Sequence, residues 1–285
     1  MQLPNNVIEQ QVGSNTLLHI DNEYASCKLS MHGAHLISFI PKKDKIERLW
    51  LSELTALDGS ESIRGGIPIC WPWFANQQPK GFEQLGAHGY ARTQLWQLDN
   101  IVNTSDATQL TLTCPVTRQT GFSGEAELTL QVTVGNTLQV SLITKNVGDE
   151  SFAITQALHS YFAVNHIDEI RLTGLHGVYL DKHQALAQLE TPSPYTITDA
   201  TDNIHLTVAS DVSLEQITNT KQQVDRNIIM SGHDSVVVWN PWTDASNIGN
   251  MQDSAYRNFV CVEAANTQLT QVAPGTQHVL TQEIK

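Results

Sequence analysis

The chain has little of what marks several common functions. Its 285 residues hold only four cysteines, Cys27, Cys70, Cys114 and Cys261. They are far apart and lack CxxC spacing, so neither a zinc site nor a disulfide framework is indicated. Free buried thiols in a reducing compartment are expected instead. Positive charge is also scarce: 16 Lys+Arg against 29 Asp+Glu give a net charge of −13. That field is wrong for a nucleic-acid surface or an anionic membrane, so neither is expected as a partner. No apolar run is long enough to cross a bilayer. The N-terminus, "MQLPNNVIEQ", lacks the charged and apolar regions of a signal peptide, and a cytoplasmic protein is expected. The eleven histidines show no HxH or HExxH spacing, so no metal is expected.

What the chain does have is alternation. "TLLHI", "LISFI", "TQLTLTC", "AELTLQVTV", "TLQVSLITKNV", "IRLTGL", "IHLTVA", "SVVVW", "FVCVEA" and "HVLTQEI" all alternate apolar with polar residues. This is the period of half-buried strands, and the threonine and valine content supports it. Turn residues such as Gly135-Asn136, Gly148-Asp149 and Ser231-Gly232 punctuate the runs. No long segment has helical period, and no linker or composition shift divides the chain. The expectation is an all-β protein, one large antiparallel sandwich or distorted barrel over residues 1–285, long enough to bury its core without metal or disulfide staples.

Five stretches place chemistry on that scaffold. "IRGGIPICWPWF" (63–74) sets Arg64 and two glycines before an apolar run broken by Pro68 and Pro72. The prolines exclude a helix interior or central strand, so Trp71 and Trp73 sit on a loop, either walling a ligand or plugging a core. "FAITQALHSYFAV" (152–164), read as a strand, puts Ala153, Thr155, Ala157, His159 and Tyr161 on one face. Small neighbours there leave room above His159, although a solvated histidine fits equally well. "NFVCVEAAN" (258–266) buries Glu263 in a run apolar on both faces. A carboxylate there must be paired, hydrogen-bonded or neutralised, and its pKa rises toward that of a general base; a structural ion pair is the plainer alternative. "GAHGYAR" (86–92), read as a loop leading into a strand, carries His88 and Arg92. With Arg64 it supplies two guanidiniums suited to forked recognition of phosphate or carboxylate. "VVWNPW" (237–242) adds Trp239. Indole faces beside charged groups suit a sugar ring, which stacks its C–H face and hydrogen-bonds its hydroxyls.

Taken in order, "IRGGIPICWPWF", "AHGYAR", "QALHSYF", "ATDNIH", "VVWNPW" and "VCVEAAN" resemble the glucose-6-phosphate 1-epimerases, the hexose-6-phosphate mutarotases of the aldose 1-epimerase superfamily. The motifs run from residue 63 to 266. The resemblance implies a large antiparallel β-sandwich (the galactose mutarotase-like supersandwich, with few short helices) and interconversion of the anomers of a hexose 6-phosphate. It implies Glu263 as general base, His159 as general acid, His88 and Asp202 as sugar-binding groups, Arg64 and Arg92 on the phosphate, and the tryptophans of 63–74 walling the sugar. The stretch after "WPWF", "ANQQPKGFEQL", is longer and more polar than the family pattern. Ring opening needs a base at O1 and an acid at O5, exchanged on closure. A carboxylate with a raised pKa and a histidine near neutrality meet that need without cofactor or metal. A hexose phosphate is thus the expected small-molecule partner and a monomer the expected state. A non-catalytic carbohydrate-binding sandwich, a glycosidase and a mutarotase for unphosphorylated aldoses are the alternatives.

Overall fold

In the computed structural model, which describes residues 2–206, 209–218 and 221–285, three antiparallel sheets surround a continuous apolar core. A four-stranded sheet is formed by Val7–Val12, Asn15–Asp21, Ala25–Ser30 and His35–Pro41 in chain order. A back sheet of eight strands runs Ile170–Thr173, Asp211–Thr218, Lys221–Ser231, Gln277–Ile284, Leu138–Asn146, Ala126–Val134, Thr108–Thr113, Gln97–Asn103. The third, here the cavity sheet, runs Ala187–Glu190, Val178–Asp181, Thr201–His205, Ser235–Asn240, Phe259–Val272, Phe152–Leu158, Ile69–Cys70, with Tyr161–Ala163 also pairing with Phe259–Val272. Helical structure among the described residues is limited to short 3-10 turns. The fold is the all-β antiparallel sandwich that the alternation implies.

The stretches read as strands fall on strands with some ends trimmed: "IRLTGL" (170–175) keeps only Ile170–Thr173, and "IHLTVA" (204–209) extends beyond the observed Thr201–His205 and partly outside the described residues. "FAITQALHSYFAV" (152–164), read as one strand, is two, Phe152–Leu158 and Tyr161–Ala163, with His159 and Ser160 in the break between them. Ala126–Val134 shows the pattern plainly: Ala126, Leu128, Leu130, Val132 and Val134 are buried, while the intervening residues are exposed or half-buried. Phe259–Asn266 differs, being buried at every position. Val260, Val262 and Ala264 enter the core shared with the back sheet, while Phe259 and Cys261 pack in a second cluster with Tyr161 on the other face. Glu263 belongs to this second face.

Polar groups cross the core in a continuous chain. The Trp71 indole N–H donates to Thr144 Oγ1 (3.1 Å), Thr144 to Gln156 Oε1 (3.3 Å), and Gln156 to Asn266 Oδ1 (3.1 Å). Such satisfied buried bonds fix how the two large sheets sit on each other.

The tryptophan-rich loop corrects an expectation. Trp71 and Trp73 are 0% and 3% exposed and belong to the core. Trp73 Nε1 donates to the Gly86 carbonyl (3.0 Å), and both rings pack edge-on against Tyr90. With indole N–H groups satisfied inside and rings packed on apolar neighbours, they plug the sandwich rather than wall a ligand.

Candidate active site

The second face of the cavity sheet, with the loops above it, encloses a cavity of about 210 Å³ lined by Arg64, His88, His159, Tyr161, Lys182, Asp202, Trp239 and Glu263, among others. Larger hollows exist, such as one of about 910 Å³ beside Asn6, Asn22 and Thr108. The side-chain amides there are bonded to one another and to Thr108. The smaller cavity has the unsatisfied chemistry.

Strand register assembles its floor. Asp202 lies opposite Trp239, Trp239 opposite Cys261, and Val237 opposite Glu263. Leu158 pairs with Ala264 and Tyr161 with Cys261, so His159 comes to lie beside Glu263. His159 Nδ1 is 3.4 Å from Glu263 Oε1. Both side chains are almost wholly buried, and neither His159 Nδ1 nor Glu263 Oε2 has a hydrogen-bond partner. Burial pushes the Glu263 carboxyl well above its ordinary range, with Asp202 raising it further and Lys182 opposing. Burial lowers His159 well below its ordinary value, helped by His88, Arg64 and Arg92. The expectation of a histidine near neutrality is therefore corrected: burial and its cationic neighbours favour the neutral imidazole at His159.

His88 comes from the loop above, with φ +70, in the left-handed region rare for a residue with a side chain. The next residue, Gly89, has no room for a side chain, since a Cβ there would sit 2.0 Å from the Trp71 carbonyl oxygen. The backbone N–H of Ala75 donates to His88 Nδ1 (3.3 Å), so the ring carries its proton on Nε2. Burial, then Arg92, Lys182 and Arg64, hold its pKa down to about 3. His88 is therefore a fixed neutral donor.

Arg64 enters from the segment before Gly65. The Gly65 carbonyl accepts from His35 Nε2 (2.6 Å), and a Cβ on Gly65 would meet the Trp50 carbonyl oxygen at 2.4 Å. Arg64 Nε donates to Asn250 Oδ1 (3.0 Å) and Nη1 to the Tyr161 hydroxyl (3.1 Å). These two bonds leave most of its five N–H donors free. Tyr161 is stacked on His159, centroids 5.0 Å apart and planes 9° apart.

Of the seven residues singled out in the sequence, six line the cavity: Arg64, His88, His159, Asp202, Trp239 and Glu263. Arg92 does not. It lies on the 3-10 turn Ala91–Thr93, where a strand was expected, with Nε buried and unpartnered. There it acts on His159 and His88 through its charge. Three contributors were missed: Lys182, whose Nζ meets Asp202 Oδ2 at 2.6 Å, Tyr161 and Asn250. In the polar loop after Phe74, Asn76 reaches the cavity and Gln77 donates to the Thr267 carbonyl (2.9 Å).

His159, Cys261 and Glu263 also offer three ligand atoms within 4.8 Å of one another. The Cys261 thiol is pushed well up by burial and by Glu263, away from the thiolate a metal takes. The trio suits proton transfer better than metal binding.

Comparison with known proteins gives the same reading. The sequence profile of the family described as Aldose 1-epimerase matches residues 16–285. The chain belongs to the aldose 1-epimerase family. Its reaction class is accordingly that of an isomerase acting at the anomeric centre of a sugar. An Escherichia coli K12 protein provisionally named glucose-6-phosphate 1-epimerase is 33% identical over 264 residues, covering 90% of this chain and 84% of its own. The crystal structure of a Salmonella typhimurium protein provisionally named a mutarotase superposes with a TM-score of 0.90 at 29% identity, covering 99% of this chain and 94% of that one. Galactose 1-epimerase from Lactobacillus acidophilus, at 14% identity and a TM-score of 0.72 over 100% of this chain and 98% of that one, shares the fold.

Proposed function

We propose that this epimerase interconverts the α and β anomers of hexose 6-phosphates, glucose 6-phosphate above all, by acid–base ring opening and reclosure. The observation that carries the reading is a buried carboxylate–imidazole pair, Glu263 and His159, 3.4 Å apart in a cavity that also presents the Arg64 guanidinium. Glu263 takes the O1 proton while His159 gives one to O5; the C1–O5 bond breaks and C1=O1 forms. After rotation about C1–C2 the two groups exchange tasks. His88 Nε2–H and Asp202 hold sugar oxygens, Trp239 offers its face to the ring, and Arg64 takes the phosphate, with Arg92 reinforcing the positive field from behind. The cavity is smaller than the about 300–1,000 Å³ of drug-sized sites, which suits one sugar ring and disfavours a glycosidase or a binder of long chains.

The protein is read as a monomer with a single domain spanning 1–285. Four free, buried cysteines fit a reducing, cytoplasmic setting. Among the described residues no helix is long and apolar enough to cross a membrane. Polarimetry of freshly dissolved α-glucose 6-phosphate tests the proposal. Catalysed decay of rotation with no product released is expected; unchanged decay at micromolar enzyme overturns it.

A further inference from the structure

The phosphate-binding role proposed for Arg64 has an electrostatic consequence. Arg64 Nη1 is bonded to the Tyr161 hydroxyl, and the Tyr161 ring lies flat on the His159 imidazole. A guanidinium thus stands one ring away from the acid. The charged and titratable groups around His159 are Arg64 from the 63–68 segment, His88 and Arg92 from the 86–93 segment, Tyr161 from its own chain segment, and Cys261 and Glu263 from the central strand. Glu263 answers to a different pair, Asp202 and Lys182. The two ends of one proton-transfer pair are therefore tuned by separate charges.

Burial drives both members toward their neutral forms, Glu263 toward the carboxylic acid and His159 toward the imidazole. Proton removal from O1 needs the opposite arrangement, carboxylate and imidazolium. The two arrangements contain the same single proton, so only its position must change.

We propose that the substrate's phosphate is an activator as well as a handle: seated on Arg64, it offsets the guanidinium beside His159 and moves the shared proton from Glu263 to His159. The step is one proton transfer, from the Glu263 carboxyl to the His159 imidazole, leaving carboxylate and imidazolium; nothing else is gained or lost. The charge acts on the His159 end because Arg64 belongs to that end. Selectivity for phosphosugars then appears in kcat as well as in KM. The inference rests on the reading of the site under Proposed function.

The experiment divides the substrate into pieces. D-Xylose has a pyranose ring but no C6 and no phosphate; phosphite dianion supplies the missing charge. Mutarotation of xylose is followed by polarimetry with and without phosphite, at constant ionic strength and with the phosphite-only background subtracted. Saturable activation of about tenfold or more is expected, the effect of moving one pK unit, and it should vanish in Arg64→Ala. In parallel, ¹H–¹⁵N NMR of the His159 ring, assigned through His159→Asn, should move toward imidazolium when phosphite is added at fixed pH. If glucose 6-phosphate is turned over while phosphite leaves both the xylose rate and the His159 signal unchanged, the phosphate is a handle only and the inference falls. If glucose 6-phosphate is not turned over, the functional reading falls. The inference then falls with it, whatever the NMR signal does.

Discussion

At one end of the cavity His159 is stacked on Tyr161 and surrounded by arginine charge; at the other Glu263 faces Asp202 and its partner Lys182. The two groups are 3.4 Å apart and equally starved of water, yet their surroundings differ in sign. Burial alone pushes an acid up and a base down, which leaves both neutral and idle. Neighbouring charges decide how readily each leaves that state, and a pair that must exchange tasks needs a separate control at each end.

The largest effect should come from removing either member. Glu263→Gln and His159→Asn should each lower turnover of glucose 6-phosphate about 10²–10⁴-fold in protein that still folds by circular dichroism. The double variant should be far less impaired than the product of the singles, because the two act in one exchange. Near-normal turnover in Glu263→Gln, measured with a β-specific dehydrogenase, removes that residue from the mechanism.

The arginines come next and should differ from each other. A charge-assisted hydrogen bond contributes about 1.5–3 kcal/mol, so Arg64→Ala should cost about ten- to a hundredfold in kcat/KM on the phosphosugar. Free glucose should be much less affected. Arg92→Ala, removing a cation behind the cavity, should cost less than Arg64→Ala. Equal losses for the two would mean that both touch the phosphate.

Lys182→Met probes the opposite end. Lys182 holds the Glu263 pKa down, so its removal lets that pKa rise. The base must be ionised to act, and the acidic limb of the pH–kcat profile should therefore move to higher pH. Lys182→Arg should restore it, and an unmoved limb would separate Lys182 from Glu263. Smallest of all, dialysis against a strong chelator should leave the rate unchanged, and recovery of a lost rate with zinc would overturn metal-free proton transfer.

Much of this is legible in the sequence. Alternation exposed the strands of the back sheet because one of their faces meets solvent. Glu263 stood out because a carboxylate interrupted a strand buried on both sides. The two tryptophan-proline stretches, "CWPWF" and "VVWNPW", mark the limit of such reading. They look alike, yet Trp71 and Trp73 are core and Trp239 lines the cavity. Composition cannot separate them; the register that sets Trp239 between Asp202 and Cys261 can. Lys182 was hidden for a related reason. It lies on a polar turn after Val178–Asp181, twenty residues from Asp202, and only the pairing of that strand with Thr201–His205 brings them together. The depression of His159 also depends on charges gathered from two separate segments, Arg64 from one and His88 and Arg92 from the other.

The four buried thiols give the chain a set of internal clocks. Cys27 lies in the four-stranded sheet, Cys70 beside His88, Cys114 at the end of a back-sheet strand and Cys261 under the acid–base pair. Burial pushes the Cys114 thiol up to about 11 and the other three higher still, so in the folded chain each is shut away and protonated. A thiol reagent can react with each only when its own region opens. The order in which the four become labelled reads out which sheet of the sandwich breathes first, with no engineered probe.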